Sequence, residues 1–283
     1  MIHVKRVNPR TFTFEDAVKA AECDANIFKD DALNHYISGP RYRNVLAVGA
    51  SSIVDPLKRM DEIIEQAKLC RRYMEAWARV YWSNVLTPGM DLYLLYDDDR
   101  VIGISQWEYP QYMVPQLERD LGRTGILWWV YKTYMNFKIW VIDTVTFWKS
   151  EHPLLNERFE HYHTKVSKLA FGEAKSIKQL ETMDYQAIEQ AQFSEDLCVT
   201  LHAFGIHPDY RGKGMASKLL SESIASIPNQ PITIKGRSYS QRMGMTASPM
   251  GVPVYEKHGF VSQASIDVPE LSETGAKYMV MIR

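Results

Sequence analysis

The run Arg211-Gly212-Lys213-Gly214-Met215-Ala216 constrains this chain more than any other stretch. It joins a strand pattern at 201–206 to a helix pattern at 215–227. Small residues at 212, 214 and 216 let the backbone come close to a bound group. A turn that opens a helix leaves N–H groups unpaired and sets the positive end of the helix dipole at the same place. Together these make a cradle for a pyrophosphate, with Arg211 and Lys213 adding positive charge. The sequence therefore predicts a phosphate-bearing cofactor.

Two common glycine-rich loops fit poorly. A P-loop needs Lys-Ser/Thr after its last glycine, and here Gly214 is followed by Met215-Ala216. A dinucleotide fingerprint needs a third small residue three positions after the second glycine, and here it follows after two. The spacing Arg-x-x-Gly-x-Ala instead resembles the acetyl-coenzyme A loop of the GNAT acetyltransferases. The lead-in from Leu201 to Tyr210 is similar to that family's central strand and turn, and Tyr255-Glu256-Lys257-His258-Gly259-Phe260 resembles its second signature. The resemblance is carried by 197–262.

What the resemblance implies is an α/β protein of the GNAT fold: a mixed, mostly antiparallel central sheet flanked by helices. It also implies acetyl transfer from acetyl-CoA, used as a co-substrate without a metal, to an amine in a ternary complex. Arg211, Gly212, Lys213, Gly214, Met215 and Ala216 would surround the pyrophosphate, with a hydroxyl from Ser217. Phe204, Gly205 and Ile206 would lie along the pantetheine arm, the backbone of Phe204 and Ile206 pairing with it. Pro208, lacking an N–H, ends that pairing. A strand N–H near Ala203 or Phe204 would polarise the thioester carbonyl.

An ammonium cannot attack a carbonyl, so a base is needed. His202 is the first choice, since an imidazole titrates near neutrality. Thr200-Leu201-His202-Ala203 is also similar to the His-Leu-His-Ala stretch of the arylalkylamine acetyltransferases, with Thr200 where the first His stands. Glu195 and Asp196, at the start of the strand, are the alternatives. Strict alternation would put His202 and Phe204 on one face and Leu201 and Ala203 on the other. Tyr255 sits where the family commonly uses a general acid, and an unperturbed phenol is protonated at neutral pH.

The rest of the chain reads by pattern. A first strand is expected over 4–14 and a helix at 15–27. A long amphipathic helix should run from Asp55-Pro56 to about Leu86, with Asp55 as N-cap. Strands at 91–96 and 101–107 should form a hairpin. Residues 109–193 are too many for a plain loop and read as a helical insertion, a substrate lid over the core of one domain spanning 1–283. Within it, 126–148 is mostly apolar, and 155–171 and 176–192 look helical; beyond it, 236–250 reads as a polar loop bearing Arg237 and Arg242. Lys132, Lys138 and Asp143 interrupt 126–148, favouring a buried helix over a membrane-facing one. His161 and His163, two apart on a helix, diverge too far to share a metal.

The net charge of −1 gives no field for nucleic acid. Cys23, Cys70 and Cys198 show neither a disulfide framework nor a zinc spacing. With no apolar leader at the N-terminus, a cytoplasmic or nuclear location is expected. The aromatic-rich insertion points to a small, apolar or aromatic amine as acceptor. A protein or peptide N-acetyltransferase and a non-catalytic CoA-binding module are the alternatives.

Overall fold

The computed structural model describes residues 1–29, 31, 56–147, 157, 158, 160, 164, 175–267 and 277–282. Strand β1 (Ile2–Arg6) precedes helices α1 (Phe14–Ile27) and α2 (Pro56–Leu86). The hairpin β2 (Met90–Asp97) and β3 (Arg100–Glu108) follows. Helices α3 (Val114–Asp120), α4 (Gly125–Phe147), α5 (Ile177–Leu180) and α6 (Tyr185–Gln190) lie before β4 (Val199–Ile206). Then come α7 (Met215–Ser226), β5 (Ile232–Ile234), β6 (Arg237–Tyr239), β7 (Met243–Ala247), α8 (Val252–Lys257), β8 (Val261–Asp267) and β9 (Lys277–Ile282).

Seven strands form the main sheet in the order β1-β2-β3-β4-β7-β9-β8. Every neighbouring pair is antiparallel except β4 and β7, which run parallel. Each face of β2 feeds a different core. Leu92 and Leu94 pack with α1 and α2, while Tyr93 and Leu95 pack with Leu219 and Leu220 of α7. This is the period-2 alternation of a strand covered on both sides. Ala17, Ala20 and Ala21, all fully buried, let α1 lie close under the sheet. Its start is fixed by a capping box in which Thr13 and Asp16 exchange side-chain and backbone bonds.

The expected α/β architecture is present, with several local corrections. The first strand ends at Arg6, and 7–13 is irregular. The apolar segment at 126–148 is a single helix, α4, packed along α2. The helix expected over 176–192 is broken into α5 and α6. Asp184 accepts from the Ala187 N–H at 2.7 Å and starts α6 afresh. Residues 236–250 are not a loop: they hold β6 and β7. With Gly244 and three polar residues nearby, β7 has little strand propensity of its own and is made by pairing with β4 and β9. Asp55, His161, His163 and most of 155–171 lie outside the described residues. Among the described residues, no helix is long and apolar enough to cross a membrane. No group of three or more His, Cys, Asp or Glu is placed to hold a metal there.

Candidate active site

The centre of the sheet is split. Strand β4 pairs with β7 only through Val199, Thr200 and Leu201. From His202 to Ile206 it is bonded to β3 alone, and among the described residues no strand takes its other edge. The His207 N–H donates to Ile102 O at 2.8 Å. In an antiparallel ladder the bonded residues alternate, so His207 and Gly205 bond to β3 while Phe204 and Ile206 turn their N–H and C=O groups to the unpaired edge. An extended chain with amide groups could add to that edge as a strand does.

The split begins at a bulge. Gln106 is opposite Ala203 and Trp107 is opposite Leu201, which leaves His202 as an extra residue on β4. The bulge overturns the alternation expected from sequence. Leu201 and Phe204 both join the core on the α7 side. Gly205 is turned to α1, where a Cβ would come within 2.3 Å of Ile27 Cγ2. His202 escapes the alternation and bonds through Nε2 to Glu108 Oε2 at the end of β3. A carboxylate only accepts, so Nε2 carries the hydrogen of this bond. Nothing in the sequence around Glu108 marks it as a site residue. Its only signal there is its place at the end of the strand that pairs with 200–206.

The unpaired edge runs straight into the glycine cradle. Gly212 has φ 73° and Gly214 φ 77°, left-handed values at which a side chain is strained. Neither would bring a Cβ within 4 Å of anything, so open space adjoins both. Gly214 caps α7, and the first-turn N–H groups of Met215, Ala216 and Ser217 have no partner within the helix. These open glycines and free N–H groups fit a pyrophosphate.

The polar side chains of the loop do other work than expected. Arg211 turns back from the cradle, donating to Ile27 O at 3.0 Å and Ile206 O at 3.4 Å, and so locks the end of α1 to the end of β4. Lys213 Nζ donates to Asp209 O at 2.8 Å. The Ser217 hydroxyl pairs with His258 Nε2 at 2.7 Å, joining α7 to the turn after α8.

Tyr255 lies on α8, on the same side of the sheet as Phe204. The two rings are 5.6 Å apart, and Phe260 meets Tyr255 edge-on at 6.2 Å. Tyr255 is 6% exposed, and burial raises its phenol well above the usual range, keeping it protonated throughout the physiological range. Glu195 and Asp196 stand on the 3-10 turn before β4. Asp196 is exposed, and the side chain of Glu195 is outside the described residues. Asp196 thus lies before β4, on a helical turn, and not on the strand that carries His202. Arg237 and Arg242 stack on Tyr185 and Phe193, at 3.7 and 4.3 Å.

Residues 183–282 match the family model described as an acetyltransferase (GNAT) domain. The match takes in β4, the cradle, α7, β7 and α8. No curated protein matches the sequence. Among solved structures, the chain is similar to an N-acetyltransferase from Staphylococcus aureus Mu50, with 12% identity over 99% of this chain and 100% of that one, TM-score 0.42. It is also similar to a mosquito arylalkylamine N-acetyltransferase like 5b, with 9% identity over 100% and 99%, TM-score 0.37. A Drosophila melanogaster polyamine N-acetyltransferase gives 8% identity over 100% and 99%, TM-score 0.41. Over residues 183–282 this chain carries a GNAT acetyltransferase domain.

Proposed function

We propose that the chain binds acetyl-CoA along the unpaired edge of β4 and in the Gly212–Gly214 cradle, and catalyses acetyl transfer to a small amine. The observation that carries this is the continuity of the two features: a one-sided strand at 202–206 leads directly into a left-handed glycine turn at a helix N-terminus. The C=O of Phe204 and the N–H and C=O groups of Ile206 take the amide-bearing arm, and the N–H groups at 214–217 take the pyrophosphate. Gly205 contributes by lacking a side chain, which lets α1 support the strand from behind.

When bound, acetyl-CoA supplies an activated thioester carbonyl. The Phe204 N–H, directed to the open edge, is the donor that polarises such a carbonyl, and it is preferred over Ala203, which faces β3 in the register. His202 accepts a proton at Nδ1, while Glu108 holds Nε2–H and fixes the ring. The Glu108 carboxylate, half exposed, also draws a cationic ammonium toward the base. Tyr255 donates its phenolic proton to a leaving sulfur, packed where water is excluded. His202 is the base in this reading, because Glu108 fixes its ring, in preference to Glu195 and Asp196 on the turn before the strand.

An apolar or aromatic acceptor rests on the sequence pattern alone, since the described aromatic rings of 126–146 pack with α1 and α2 or stand exposed. The assignment is tested by isothermal titration with acetyl-CoA and CoA, followed by thiol release with aromatic amines, polyamines and peptides. Micromolar donor binding that is lost in Gly214→Asp, with turnover on small amines, is the expected result. No donor binding by the wild type would sink the reading. Turnover confined to peptides would move the acceptor to protein N-termini or lysines. Binding without turnover would make the chain a CoA-binding module.

A further inference from the structure

We propose that α4 is the self-association surface of this protein, pairing antiparallel with α4 of a second copy. One side of the helix is accounted for: Trp128 and Met135 are buried with α1 and α2, and Tyr131 and Ile139 pack against them. These positions recur at three- and four-residue steps, as one helix face does. The opposite face is equally apolar and lies in solvent. Ile126, Trp129, Val130, Tyr134, Phe137 and Trp140 are 51–70% exposed. A helix apolar all round belongs in a buried setting.

The size of the face fits a protein partner. The helix is about 34 Å long at 1.5 Å per residue. Its four exposed aromatic rings alone offer roughly 500 Å² at about 200 Å² for each whole side chain. With the aliphatic residues between them, the face approaches the roughly 800 Å² that each partner gives to a standard interface. A monomer seldom displays more than about 300–600 Å² of contiguous apolar surface.

Charge selects the partner. A membrane-surface helix carries a strongly basic polar face, but this one has only Lys132 and Lys138. Lys138 Nζ is drawn over the Trp82 ring at 5.7 Å, and Asp143 is paired with Arg79 at 3.3 Å. The pattern is self-complementary about a two-fold axis between residues 135 and 136. Ile126 then meets Val145, Val130 meets Val141, and Tyr134 meets Phe137. Lys138 meets Thr133 instead of another lysine. Such an isologous contact closes at two copies.

Sedimentation of the full chain and of a Trp129→Glu/Phe137→Glu variant tests the proposal. Both positions are exposed, so the variant should keep the wild-type circular dichroism and melting temperature. The wild type should sediment as a dimer and the variant as a monomer. Ile126→Cys/Val145→Cys should yield a disulfide-linked dimer absent from the wild type, since the two sites lie about 28 Å apart on one helix and cannot join within a chain. A monomeric wild type, or a variant that stays dimeric, would overturn the proposal. So would flotation of a monomeric wild type with phosphatidylcholine–phosphatidylserine vesicles, lost in the variant, which would assign the face to lipid.

Discussion

Gly251 keeps open the space that the Tyr255 ring occupies: a Cβ at 251 would stand 2.8 Å from Tyr255 Cε2 and 3.5 Å from Cζ. The glycine opens α8 one turn before the tyrosine, and its carbonyl accepts the Tyr255 N–H at 3.3 Å. Gly251→Ala should therefore displace the proposed acid without removing it. Turnover should fall about tenfold with donor affinity unchanged. Tyr255→Phe should fall further, by about a hundredfold or more. Steady-state rates beside donor titration separate the two.

Glu108 bonds to His202 from the end of β3. Glu108→Ala should lower turnover by roughly ten- to hundredfold while leaving donor affinity alone, as expected for a group that orients a general base. Equal loss in binding and turnover would mean that Glu108 supports the strand instead of the imidazole.

The contact of Gly205 with Ile27 is tighter than any side chain permits. Gly205→Ala should cost about 1–3 kcal/mol, as overpacking does. Ile27→Ala introduced alongside should recover part of that loss, giving a non-additive cycle in urea unfolding.

Asp24 is buried in α1, accepting from the Tyr81 hydroxyl at 2.7 Å. Burial, the largest cause, pushes its carboxyl up to about 7 from an ordinary 3.8, with the Tyr81 bond acting against it. The folded chain thus holds a proton that the unfolded chain releases between pH 4 and 7. Stability from this group is complete at the acid end and is lost as pH rises through 7, on the order of a few kcal/mol at most. Asp24→Asn keeps an acceptor for Tyr81 and removes the charge. It should flatten the decline and match or exceed the wild type at pH 8, as read from denaturant midpoints.

Much of this could be read from the sequence because it is written in local chemistry. The small residues at 212, 214 and 216 mark a turn open to close approach before a helix, and α1, α2 and the β2–β3 hairpin follow from periodicity and caps. What the sequence hid depends on partners distant along the chain. Strand β7 is a strand only because β4 and β9 flank it. Arg211 and Ser217 resemble phosphate ligands until Ile27 and His258, far off in sequence, claim them. The bulge at His202 is invisible to any alternation rule, because one inserted residue reverses every side chain beyond it.

Three rungs join β4 to β7 and so the β1–β4 half to the β7–β9–β8 half, beside a bond from the Val199 N–H to Arg242 O at 2.9 Å. Below them the seam lies open along the track proposed for the donor. A molecule seated there would complete a ladder that the polypeptide leaves unfinished, bracing the two halves against each other. The rigidity of the protein, and not only its chemistry, would then rise and fall with the supply of its co-substrate.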